Sequence, residues 1–275
     1  MKRLIIAALG IFTFSTQLLA QPKKSGAIQF QSTFDPAAMA AANGIKLSDE
    51  VIARMPKKSV SGFELLFNAT NASYTPVEDT EDSNNSGGGG PRFGGFGGAS
   101  REYYYNLAEH KLTEVFDLND TTYFLQNKLG AVATTGFGQS ATPPVVEVIK
   151  SDETKKILGF DCKKVTVKTT VKRKIQDEEK EITDQTVLWY TNDLGFEFSP
   201  NPSLWTEGAV LQVEGKGTQV VAKSIEYRNV SNKDVSLPKK GTVITPEEFR
   251  AKMEQMRKQR GNRNGRPAVR SMTIN

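Results

Sequence analysis

Apolar residues recur at every second position along most of this chain. Ile28, Phe30 and Phe34 alternate with Gln29, Gln31 and Thr33, and Phe63, Leu65 and Phe67 stand against Glu64 and Asn68. Tyr103, Tyr105 and Leu107 repeat the pattern, as do the aromatic and leucine positions of 121–126. Further runs occupy 145–149, 165–171, 185–190, 209–214 and 220–230. A period of two places one set of side chains on an apolar face and the other in water. About ten such strands in succession, with few helices between them, predict an antiparallel meander rather than βαβ units.

The interruptions have their own chemistry. Asn119-Asp120 predicts a hairpin turn after the strand at 111–116. Gly215-Lys216-Gly217-Thr218 joins two strands, so it reads as a turn and not a phosphate loop. Leu158, Phe160 and Cys162 have the opposite parity to Val165 and Val167, which predicts a bulge or turn around 161–164. Residues 35–55 are Ala-rich, then place Leu47, Val51 and Met55 at helical spacing behind Ser48 as cap, predicting one or two helices over the sheet. Residues 75–100 pass from acidic to glycine-rich, with eight Gly among 87–98, and predict a flexible loop bearing Phe93 and Phe96. Thr245-Pro246-Glu247-Glu248 opens a helix with Phe249, Met253 and Met256 on one face, ended by Gly261. Arg257, Lys258, Arg260, Arg263, Arg266 and Arg270 then form a cationic, disordered tail.

The first residues change the picture of where such a sheet works. Lys2 and Arg3 precede an apolar stretch at 4–14, followed by a cleavage region ending at Ala20. This is the layout of a signal peptide, and the apolar stretch is shorter than the roughly 20 residues of a spanning helix. The sequence therefore predicts export to the periplasm, free or associated with the outer membrane, with cleavage near Ala20. No Cys follows the apolar stretch, which argues against a lipid anchor there. The expected organisation is a signal peptide at 1–20, a β domain at 21–240 with the loop at 75–100, and a short helix and basic tail at 241–275.

Charge and cysteine usage refine this. The chain carries a formal +5, and residues 247–275 alone hold eight basic and three acidic residues. Without Lys2 and Arg3, the body at 21–246 is close to −2, so the basic character belongs to the tail. Cys162 is the single cysteine, so no internal disulfide can form, and its apolar neighbours predict a small core residue. His110 is the single histidine. That leaves no zinc ligand set; a Ser–His–acid triad could use only His110, which reads as a surface residue, and no Gly-x-Ser-x-Gly elbow accompanies it. The run at 78–82 lacks a calcium-loop pattern. The expectation is a protein without metal, cofactor or catalytic set; a hydrolase using carboxylates brought together by folding is a remote alternative. In an exported protein the tail meets anionic envelope surfaces or an acidic protein rather than nucleic acid.

Several stretches carry a family resemblance. They are Phe63-Glu64-Leu65-Leu66-Phe67-Asn68 with Ser73-Tyr74, the strand at 103–106, and Ile157-Leu158-Gly159-Phe160-Asp161-Cys162-Lys163-Lys164. Leu188-Trp189-Tyr190-Thr191-Asn192-Asp193-Leu194 and Gly208-Ala209-Val210-Leu211-Gln212-Val213-Glu214 follow in order. Together they resemble the GLPGLI family of exported Bacteroidetes proteins, or a close neighbour of it. The resemblance implies no catalytic residues. It implies a fold similar to the lipoprotein-carrier half-barrel, a curved antiparallel sheet with helices covering one face.

A curved sheet has a concave apolar face that must be filled or offered to a ligand. Parity assigns Phe30, Phe34, Phe67, Tyr105, Phe124, Leu188, Tyr190 and Leu211 to that face. The leading expectation is a non-enzymatic carrier with a groove for a lipid or other hydrophobic ligand. The alternative is an accessory protein with a filled core that docks an outer-membrane partner through the basic tail or the glycine-rich loop.

Overall fold

The computed structural model describes residues 25–55, 58–77, 101–118, 120–130, 145–175 and 178–264. The expected signal peptide, most of the glycine-rich loop with Phe93 and Phe96, Asn119, and the tail cations Arg266 and Arg270 lie outside them.

The fold is mainly β: one open sheet of 12 strands, not closed into a barrel, with three helices among the described residues. The first meander comprises β1 (Gly26–Phe34), β2 (Ser59–Phe67), β3 (Asn71–Val77), β4 (Glu102–Asn106), β5 (Lys111–Leu118) and β6 (Thr121–Lys128). The second comprises β7 (Val145–Ile157), β8 (Phe160–Ile175), β9 (Glu178–Thr191), β10 (Ala209–Gly215) and β11 (Thr218–Glu226). Strand order is β12-β6-β5-β4-β3-β2-β1-β11-β10-β9-β8-β7, so the two meanders join where β1 pairs antiparallel with β11. The short β12 (Thr242–Ile244) adds a parallel margin to β6, which carries the β domain past residue 240.

Turn chemistry sets the registers. Leu118 pairs with Thr121 around Asp120, whose φ is 59°, giving the predicted hairpin. Gly215 pairs with Thr218, leaving Lys216 and Gly217 as a two-residue turn. Gly217 has φ 64°, and a Cβ there would sit 2.6 Å from Asp35 O and from Met39. Gly217→Ala is therefore expected to destabilise the fold by about 1–3 kcal/mol, read as a lowered urea midpoint with an unchanged m-value.

The phase change near Cys162 has a different origin from the predicted bulge. β8 is continuous through 161–164, and the register shift lies in β7 between Lys150 and Thr154. Leu158 (φ 52°) and Gly159 (φ 88°) make the hairpin turn. Parity changes because β8 buries both faces: Val165 and Val167 turn inward, while Cys162 packs on the outer face, which also carries Trp189. The Trp189 ring there lies under Lys155 Nζ at 4.2 Å.

The helices cover less of the sheet than the sequence predicts. α1 (Pro36–Ala42), capped by Asp35, and α2 (Asp49–Arg54), capped by Ser48, bury no residue. α3 (Pro246–Asn264) has the predicted capping box, with Glu248 N donating to Thr245 Oγ1 and Thr245 N to Glu248 Oε2. It runs past Gly261, and its first turns pack through Phe249 and Met253 on Phe116, Leu125 and Ile244. Among the described residues no helix is long and apolar enough to cross a membrane.

Candidate functional site

Cross-strand partners define the concave face, because directly paired residues point the same way. Ile28 and Phe30 lie with Leu65 and Phe63, then Tyr74, then Tyr103 and Tyr105. On the other side, Ser32 is paired with Val220, Val220 with Val213, Val213 with Leu188, and Leu188 with Val165. This row crosses five strands, and every member is buried.

The cover is the connection between β9 and β10. Residues 192–208 return as a strap over the face, held by Phe198 N–H to Gly208 O at 3.3 Å and Val210 N–H to Phe198 O at 2.8 Å. Phe198 sits among Phe30, Tyr74 and Tyr105, with ring centroids 5.6, 5.4 and 5.4 Å away. Phe196 lies 4.7 Å from Phe67, and Trp205 stacks 6.2 Å from Tyr105. Polar atoms of the strap find partners as well. The Tyr105 hydroxyl donates to Ser199 O at 3.2 Å, and Trp205 Nε1 donates to Glu197 at 3.0 Å.

Six of the eight predicted groove residues belong to this packed core: Phe30, Phe67, Tyr105, Leu188, Tyr190 and Leu211 are each at most 2% exposed. Leu211 is the extra residue at the register shift between Val210 and Gln212. Phe34 is half-buried at the end of β1, outside both core clusters. Phe124 is a correction. It pairs with Val115 and Val243, while Tyr123 and Leu125 pair with Phe116 and Glu114 of the concave side. Phe124 therefore faces the outer side, where Gly241 lies flat against its ring with no room for a Cβ. The aromatic pair Tyr123-Phe124 gives parity two readings, and the strap residues Phe196, Phe198 and Trp205 have no period that would have marked them.

Among the described residues one charged side chain is buried, and it stands on the concave face. Glu114 is paired with Tyr103 and Leu125, is 5% exposed, and accepts from Arg101 Nη1. Arg101 also lies over the Phe116 ring at 5.6 Å. Burial raises the Glu114 carboxyl above its usual value, and the Arg101 charge and hydrogen bond only partly oppose this. Burial likewise raises the phenols of Tyr74, Tyr103 and Tyr105. At the rim, Glu207 accepts from Lys150 Nζ at 2.9 Å and from the Tyr190 hydroxyl at 2.7 Å. Those bonds hold the Glu207 carboxyl below its usual value, while burial, then Glu207, push Tyr190 to about 12.

The other predicted residues fall elsewhere. Cys162 is buried, and burial pushes its thiol to about 11. His110 is exposed in the turn before β5. Among the described residues no three His, Cys, Asp or Glu side chains gather as a metal site. Arg257, Lys258, Arg260 and Arg263 lie on α3 rather than beyond it, and Lys258 pairs with Glu254 at 2.9 Å.

No protein-family profile matches the chain, and no curated protein matches it. Solved structures of PNGF-II in space groups C2 and P21 are similar to it, with TM-scores of 0.49 and 0.48 and 15% identity each. They cover 85% of this chain, which in turn covers 33% and 34% of theirs, so it spans about a third of the length of PNGF-II. A likeness that distant carries no argument about activity.

Proposed function

We propose that the protein is exported to the cell envelope and acts there without catalysis, as a docking protein built on a filled half-barrel. Export rests on the basic, apolar and cleavage regions of 1–20, and the GLPGLI resemblance of the strand blocks accords with it. The observation that carries the docking reading is the strap: Phe196, Phe198 and Trp205 occupy the face that a ligand would otherwise use. A filled face leaves the outer surfaces for recognition, among them the cations of α3 at one end of the sheet.

A carrier reading is the second. Its support is the aromatic lining itself, which would suit an acyl chain or another hydrophobic ligand if the strap swung away. Native mass spectrometry and titration with a fluorescent fatty acid separate the two. The docking reading expects a bare protein that leaves the probe unbound, and loss of cross-linked envelope partners when 257–275 is deleted. Co-purified lipid with stoichiometric probe binding would overturn it in favour of the carrier.

A further inference from the structure

The two margins of the sheet are built differently. Natural sheets blunt their edges with short strands, charges, proline or a covering element. β12 obeys this rule, with three residues followed directly by α3. β7 does not. It has 13 residues, it is the last strand on its side, and among the described residues no strand pairs with its outer edge. Val145, Val146, Val148 and Ile149 are 68%, 37%, 54% and 36% exposed, so β-branched side chains stand free on both faces. The register shift after Lys150 and the charges of Lys155 and Lys156 protect the second half only.

The bare stretch reads Val-Val-Glu-Val-Ile, which is nearly a mirror of itself about Glu147. We infer that β7 is a self-pairing edge, and that a second copy of this chain adds to it antiparallel, about a two-fold axis through Glu147. That axis sets Val145 against Ile149 of the copy on one face and Val146 against Val148 on the other. The period of two is preserved, so neither sheet turns its faces over. An interface between identical patches closes at two copies. The two Glu147 carboxylates meet at the axis, and each carries its own Lys168 Nζ at 3.8 Å to offset the repulsion. A ladder this short buries less than the roughly 1,200 Å² of a standard interface, so the association is weak and depends on concentration. The inference does not depend on the docking role proposed above, since it uses neither the strap nor the tail.

Sedimentation velocity of the chain from residue 21, from micromolar to millimolar, reads the association. Val148→Glu is expected to weaken it about tenfold, because two symmetric apolar pairs are lost. Adding Val146→Lys to Val148→Glu sets Lys against Glu twice and is expected to restore most of it. Glu147→Cys is expected to oxidise to a disulfide-linked dimer, while Val145→Cys, several residues from its own copy, stays reduced. These positions are exposed, so the variants keep the fold. A wild type that stays monomeric at millimolar concentration would overturn the inference. A dimer in which Val145→Cys cross-links instead, or which the double variant fails to restore, would overturn the register.

Discussion

Phe198→Ala is expected to lower the stability of the fold by about 3–5 kcal/mol, the range for removing a fully buried aromatic. The side chain is 1% exposed and touches rings from β1, β3 and β4. The loss combines transfer of the ring to water with the cavity left among Phe30, Tyr74 and Tyr105. Relaxation is limited, because the strap is fixed on both sides of position 198 by the Gly208 and Val210 backbone bonds. Phe198→Leu keeps most of the volume and is expected to cost less than half as much. Urea unfolding followed by Trp fluorescence reads both. An alanine variant as stable as the wild type would mean that the strap is a loose cover rather than part of the core.

The second large effect belongs to Glu114. Glu114→Ala is expected to destabilise by about 3–5 kcal/mol, since it leaves the Arg101 guanidinium half-buried and unpaired. Glu114→Gln keeps an acceptor for Arg101 and is expected to cost much less. The pH dependence separates charge from shape. The folded-state value of Glu114 is raised, so the folded state holds the proton more tightly than the unfolded chain. Stability from this group is then greatest at low pH and falls as pH rises through the window between the unfolded and folded values. Acidification from neutral pH towards pH 5 should therefore stabilise the wild type relative to Glu114→Gln. The comparison needs only paired urea midpoints at the two pH values, and an opposite trend would place the carboxylate in an environment that favours its charge.

Much of the fold is legible in the sequence because strands announce themselves locally. Alternation locates the strand positions, and Asn119-Asp120 and Gly215–Thr218 locate hairpins by turn chemistry that needs no tertiary information. Ser48 and the Thr245–Glu248 box are likewise local. The site is less legible. Which element fills a concave face is a tertiary decision, and the strap carries its aromatics between Ser, Pro and Asn with no repeat to read. Phe124 fails for a related reason: beside Tyr123, only the register with β5 shows which ring turns inward. Cys162 is predicted as core correctly, yet on the outer side, because β8 buries both faces near Trp189.

The seam between β1 and β11 has a kinetic consequence. Ala27 meets Glu226 across it, whereas each neighbouring pair from β1 to β6 is joined by its own hairpin or loop. Pairings with small sequence separation form early, and those that close a long loop form late. During synthesis β1 is made first and receives its second neighbour nearly last. Until β11 arrives, Ile28 and Phe30 lack the strand beside them, although the strap that covers Phe30, at 192–208, is already made. The sheet is therefore assembled as two meanders and completed at its middle, so a central strand is the one left waiting longest for its second partner.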